Sequence, residues 1–243
     1  MAGVFISRGM TVAIPDGGLV ISFGKEGKPT GSVTLHVHFD VCPTWLELAL
    51  RHLEDAKEKQ SARMVAWKTT DENSKAMTLE REFEASMQAI MSSAIAIDAF
   101  YAVIHTKAKV PQTLITKWRE KRTPRYAQIS EVLRIAFTLK PKGFLVLRKN
   151  LQEIFKLRDL AIHPSGKIDL PILHPELQVG VEWRFAYFRY ENALLVVRET
   201  VRMLCELVTS GKPKNGEVQK YAEVLRPRIQ PLQELGISPS IVE

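Results

Sequence analysis

Cysteine is nearly absent from this chain of 243 residues: it has two, Cys42 and Cys205, far apart and neither within a Cys-x-x-Cys pair. That scarcity excludes a disulfide framework and the common zinc motifs, and both residues are expected to be reduced or buried thiols. Long apolar runs are also lacking. No uninterrupted stretch approaches the length needed to cross a bilayer, and Arg8, Pro15, Asp16 and nearby glycines spoil a signal-peptide core. No membrane association is expected, and a cytoplasmic location follows by default. Internal repeats and low-complexity tracts are missing too.

What is present suits a globular protein. With 45% hydrophobic and 25% charged residues, the chain can bury a substantial core as one domain, or one domain with an appendage. Its net charge of +7 favours encounter with polyanions, because lysine and arginine replace the counterions condensed on a phosphate backbone. A solvated positive face is the plainer meaning of the same charge.

Two periods divide the chain. Residues 1–42 read as a small antiparallel β segment. Thr11–Ile14, the turn sequence Pro15-Asp-Gly-Gly18 and Leu19–Phe23 predict a hairpin, and Val33, Leu35, Val37 and Phe39 alternate with polar residues as in a further strand. His36 and His38 share a strand face two residues before Asp40, a spacing similar to a metallo-β-lactamase ligand motif. That motif needs a histidine where Val41 stands, so a polar outer face is the simpler account and no metal is assigned.

Residues 43–243 read as helical, beginning with Trp45, Leu46, Ala49, Leu50 and Leu53. Phe83, Met87, Ile90, Ala94, Ile97, Tyr101 and Ile104 recur at alternating spacings of four and three, as in antiparallel bundles. Ile129, Val132, Leu133, Ala136 and Leu139 mark a shorter helix, and Trp183, Tyr187, Tyr190, Leu194, Val197, Val201, Leu204 and Val208 a closing one. After Lys212–Gly216 the expectation is one short helix over 217–226 and then a proline-containing tail. The fold class is therefore mainly α, an antiparallel helical bundle with a small N-terminal antiparallel β segment.

The stretch Leu157–Pro164, Leu-Arg-Asp-Leu-Ala-Ile-His-Pro, departs from ordinary helical core. Phe144, Leu147, Leu151, Ile154, Phe155 and Ile162 form an apolar stripe over about Gly143–Ile162, and Arg158 falls inside it. A guanidinium there needs an ion-pair partner, water or a second surface that wants positive charge. Pro164 disfavours helix at the residue before it, which makes His163 the helix exit. At about 1.5 Å per residue the two Cα positions lie about 7 to 8 Å apart along the axis, close enough for both side chains to address one anion.

Arg158, the polar Asp159 and His163, at a helix end between two long amphipathic helices, resemble the motif of the HEPN superfamily (higher eukaryote and prokaryote nucleotide-binding domains). The resemblance extends to the helices containing Ser86–Tyr101 and Tyr190–Val197 and covers about 74–210. It implies a metal-independent endoribonuclease without cofactors, in some members a toxin or defence effector, acting as a homodimer whose Arg and His motifs share a cleft. An antitoxin or another regulatory protein is a further partner it implies. It equally admits a non-catalytic module for dimerisation, nucleotide or RNA binding, or partner docking.

In the catalytic version a ribose 2′-hydroxyl attacks the adjacent phosphorus. His163 moves the proton, and Arg158 offers a planar, permanently charged fork to the phosphate oxygens. Asp159 orients His163 or a group of the partner subunit, or pairs with a neighbouring lysine. Asp98, Ser92 and Ser93 flank the site, where one of them suits substrate contact or pairing with Arg158, and all three equally suit a polar helix surface. The segment 117–125 interleaves Lys117, Arg119, Lys121, Arg122 and Arg125 with Trp118, which suits an RNA-gripping loop in which the indole stacks on an unpaired base. The same segment also suits a solvated connection with Trp118 tucked against the bundle.

Overall fold

The computed structural model describes residues 3–7, 10–23, 27–163 and 170–237. Contacts divide the chain into two compact units, 1–41 and 42–243. Pro164, the expected helix stop, lies outside the described residues, as does the end of the tail.

Among its described residues the first unit holds five strands: β1 (Gly3–Ser7), β2 (Met10–Ala13), β3 (Leu19–Phe23), β4 (Pro29–Val33) and β5 (His36–Phe39). The Pro15–Gly18 turn forms as its sequence demands, with the Gly18 N–H donating to the Pro15 carbonyl at 2.8 Å and Gly17 at φ 78°. It does not, however, close the expected hairpin. β2 lies between β1 and β5 in one antiparallel sheet, and β3 pairs antiparallel with β4 in another. The turn residues were legible, but strand partners were not: the stretches joining β2 to β3 and β3 to β4 are equally long, so loop length does not choose between them. The alternating stretch 33–39 is split between β4 and β5, and Val33, Leu35, Val37 and Phe39 are all exposed.

The second unit is a helical bundle. α1 (Cys42–Ala66) is joined by a short connection to α2 (Glu72–Lys107), which starts where the Asp71 carboxylate accepts hydrogen bonds from the N–H groups of Asn73 (3.0 Å) and Ser74 (3.3 Å). α2 is, among the described residues, the one helix long and apolar enough to span a membrane, and 56% of its most apolar window is buried in the protein. Its stripe of Ala89, Ile90, Ala94, Ile97, Phe100 and Ile104 packs at the centre of the core. Next come α3 (Gln112–Glu120), α4 (Arg125–Ala136) and α5 (Pro141–Ile162). α5 begins with proline in its first turn, where the missing N–H costs nothing, and ends at His163, whose N–H still donates to the Asp159 carbonyl. Leu151, Ile154 and Phe155 bury its inner face.

A two-stranded hairpin follows, β6 (Ile172–Leu173) with β7 (Gly180–Val181), and then α6 (Trp183–Tyr187), α7 (Tyr190–Thr209) and α8 (Gly216–Ile237). The expected closing helix is therefore broken at Phe188–Arg189. Phe188 is buried 5.8 Å from the Phe83 ring, and Asn192 Nδ2 donates to the last carbonyls of α6 at Ala186 (3.3 Å) and Tyr187 (2.9 Å). The Glu82 carboxylate then accepts the N–H of Tyr190 (3.1 Å) and so caps α7 from across the bundle.

α8 overrides the other expectation. It continues through Pro227 and Pro231 because Val218, Tyr221, Ala222, Leu225, Ile229 and Leu232 form one buried stripe. Both prolines are exposed, so the carbonyls they leave unpaired face water.

Candidate functional site

α5 delivers Arg158, Asp159 and His163 to one end of the bundle, and α4 delivers Arg125 opposite them. All four line a cleft of about 450 Å³ with Tyr126, Phe155 and Lys156. Arg158 is the anomaly in the apolar stripe, and its surroundings resolve it. Its guanidinium carbon lies 4.7 Å from the centre of the Phe155 ring, and its side chain is 21% exposed. Nη1 donates to Asp98 Oδ2 at 3.3 Å, while Nε and Nη2 donate to Asp159 Oδ1 at 2.9 and 2.6 Å.

Asp98, on α2, brackets two guanidiniums. Its Oδ1 accepts from Arg125 Nε at 2.6 Å, and Arg125 stacks 4.1 Å from the centre of the Tyr101 ring. One carboxylate thus fixes the cations of both cleft walls, which would otherwise repel each other. Asp159 does not pair with a lysine and makes no hydrogen bond to His163 among the described residues; the long Arg158 side chain folds over its immediate neighbour instead. Ser93 is turned back onto the Ala89 carbonyl, and Ser92 is buried, so Asp98 alone of those three reaches Arg158. His163 is exposed at the helix exit and shares the cleft lining with Arg158.

The basic segment is not a single loop. Lys117, Trp118 and Arg119 lie on α3, Lys121 and Arg122 in the following turn, and Arg125 opens α4. Trp118 is only 8% exposed and packs against the core, which leaves little of the indole for stacking on a base. Of the six residues, Arg125 alone lines the Arg158 cleft. Trp118, Arg119 and Arg122 line a neighbouring concavity of about 370 Å³ with Tyr101 and His105. The stacked pair of Arg125 and Tyr101 divides the two.

On its other side the Arg158 cleft adjoins a third concavity of about 400 Å³, lined by Leu170, Ile172, Trp183 and Tyr187. Lys156, Leu160 and His163 line both and form the shared wall. The helical period places Trp183 and Tyr187 at core positions, but the helix breaks before α7 and Tyr187 is 39% exposed.

A buried polar cluster that the sequence did not disclose holds the β6–β7 hairpin. Arg63, fully buried on α1, pairs through Nε with Glu82 of α2 and through Nη2 with Glu176 of the hairpin turn at 2.6 Å. Arg189 donates to Glu176 (2.8 Å) and Glu191 (3.2 Å), and Gln60 donates to Glu191. Burial pushes the Glu191 carboxyl up to about 7, and its hydrogen bond to Glu176 adds to the effect. Burial also pushes Glu176 up, but hydrogen bonds from Glu191, Arg63 and Arg189 outweigh it and hold that carboxylate down at about 2. The two carboxyls therefore titrate as a coupled pair, Glu191 raised and Glu176 lowered. His174 is buried beside them. Its Nδ1 accepts from the N–H groups of Glu176 (3.2 Å) and Leu177 (3.3 Å), and desolvation, then the Arg63 charge, lowers it to about 4.

Among the described residues no group of three or more His, Cys, Asp and Glu side chains gathers into a metal-holding set. Comparison of the chain with family models, with curated proteins and with solved structures finds no match.

Proposed function

We propose that the chain is a metal-independent endoribonuclease of the HEPN type, binding an RNA phosphate in the Arg158 cleft and cleaving the adjacent P–O5′ bond. The observation that carries this reading is that Arg158 and His163, five residues apart at the end of α5, line one open cleft whose opposite wall supplies Arg125. Two guanidiniums held by Asp98 give a preorganised, planar set of donors for the non-bridging oxygens, whose negative charge grows as phosphorus becomes five-coordinate. The ribose 2′-hydroxyl gives its proton to the exposed His163 imidazole and attacks phosphorus. The 5′-oxygen leaves with a proton from a second acid, and the products are a 2′,3′-cyclic phosphate and a 5′-hydroxyl. A homodimer would supply that acid as the second imidazole.

The test is incubation of the purified chain with mixed RNA in the presence of a chelator. Arg158→Ala and His163→Ala, each shown to be folded by circular dichroism, are each expected to lose about 100-fold or more in rate, and wild type is expected to leave cyclic-phosphate ends. Equal cleavage by all three proteins would remove the pair from the reaction.

One observation favours a second reading. Arg158 already has two carboxylate partners, Asp98 and Asp159, as expected of a non-catalytic module in which the pair closes a polar network. RNA binding without cleavage would select it.

A further inference from the structure

We infer that the concavity formed by Trp183, Tyr187, Leu160 and Ile172 is a nucleobase subsite. It holds the base of a nucleotide whose phosphate lies in the neighbouring Arg158 cleft, and so rests on the phosphate reading of that cleft.

Three features point to a base. The two concavities share a wall of Lys156, Leu160 and His163, so a ligand bridging them has an anionic part on the Arg158 side and an apolar, flat part on the Trp183 side. A nucleotide has that division of chemistry. Its volume of about 400 Å³ falls in the range of small-molecule sites, about 300 to 1,000 Å³, and is too small for a docked helix. Its lining combines two aromatic rings with aliphatic side chains and a lysine, and no carboxylate is among its described lining residues. Trp183 and Tyr187 meet edge to face, with centroids 5.9 Å apart and planes at 77°, so neither ring is stacked on the other. Stacking on an aromatic ring suits any base, because every base has a π face.

The subsite is also built rather than accidental. Ile172 belongs to the hairpin that Arg63 and Arg189 hold through Glu176, and Trp183 is fixed by Phe188, 6.4 Å away between ring centroids. Leu170, 87% exposed, lies at its edge and gains cover when a base enters.

The experiment measures binding of the full chain to a labelled 2′-O-methyl trinucleotide, which has no free 2′-hydroxyl and stays intact, and to the same backbone made abasic. Fluorescence anisotropy gives both dissociation constants for wild type and for Trp183→Ala, Trp183→Phe and Arg158→Ala. Wild type is expected to bind the base-bearing probe about 10-fold more tightly than the abasic one. Trp183→Ala should abolish that preference with the abasic constant unchanged, and Trp183→Phe should keep part of it. Should Trp183→Ala fail to fold, Tyr187→Ala, at a more exposed position, is expected to halve the preference or more. Equal binding of both probes by wild type, weakened for both by Arg158→Ala, would overturn the subsite and leave the phosphate reading standing. Binding of neither probe would overturn both. A change in oligomeric state on mutating Trp183, without loss of base preference, would assign the surface to a second copy of the chain and overturn the subsite as well.

Discussion

At the scale of single residues, Asp98 decides the character of the cleft. It neutralises part of the positive charge that a phosphate would seek, and it also sets the spacing of Arg125 and Arg158. These two effects oppose each other, and Asp98→Asn separates them. Removing the charge is expected to tighten RNA binding several-fold. It is also expected to lower the maximal rate by about tenfold or more, since the two guanidiniums lose their common anchor. Steady-state kinetics across RNA concentrations check this through a fall in both KM and kcat; equal rates for variant and wild type would show that Asp98 does not position the pair. The oddity of Arg158 in an apolar stripe was legible in the sequence, and so was its need for a partner. That Asp98 serves two arginines was not legible, because Arg125 and Arg158 are 33 positions apart and meet only in three dimensions.

At the scale of elements, the cluster around the β6–β7 hairpin gives the fold a definite response to pH. Glu191 in the folded chain titrates near 7, above its ordinary 4.5, so its contribution to stability is complete below about 4.5 and is lost as the pH rises through about 7. His174 slopes the other way. Held down to about 4 from an ordinary 6.5, it costs stability as the pH falls across that interval. Wild type is therefore expected to show a shallow dependence between about 4.5 and 6.5. Glu191→Gln removes one of the opposing slopes, so its Tm should fall more steeply on acidification over that range and stay level from about pH 6.5 to 7, where wild type is still declining. Thermal melts at half-unit pH steps check this, and parallel curves for the two proteins would mean that Glu191 is not the raised member of the pair. Elements with strong periods and local signals, such as α2, α5 and its exit at His163, were readable in advance. The hairpin and the break at Phe188 were not. Two-residue strands have no period, and the break depends on Phe83 and Glu82, more than a hundred positions away.

At the scale of the whole molecule, the proposed chemistry needs two imidazoles, and among the described lining residues of the cleft one chain supplies His163 alone. The active species is therefore expected to sediment at twice the chain mass of 27.5 kDa, and activity in a strictly monomeric sample would contradict the two-imidazole scheme. The bundle as a mainly helical fold with small strand pairs was plain from composition and period, whereas the partition of β3 and β4 into their own sheet was not, because two equally long connections flank β3. The span of the contacts in the buried cluster also orders the assembly of the molecule. Arg63 and Glu82 are 19 positions apart and come together as soon as α1 and α2 fold against each other. The bonds from Glu82 to Tyr190, from Arg63 to Glu176 and from Gln60 to Glu191 span 108, 113 and 131 positions, and each must wait for the rest of the chain to return. Until then Arg63 lacks one of its two carboxylates in a setting that penalises the vacancy. Trp183 and Ile172 flank these long-span contacts, so the wall beside His163 is expected to form late, after the local pairing of α1 with α2.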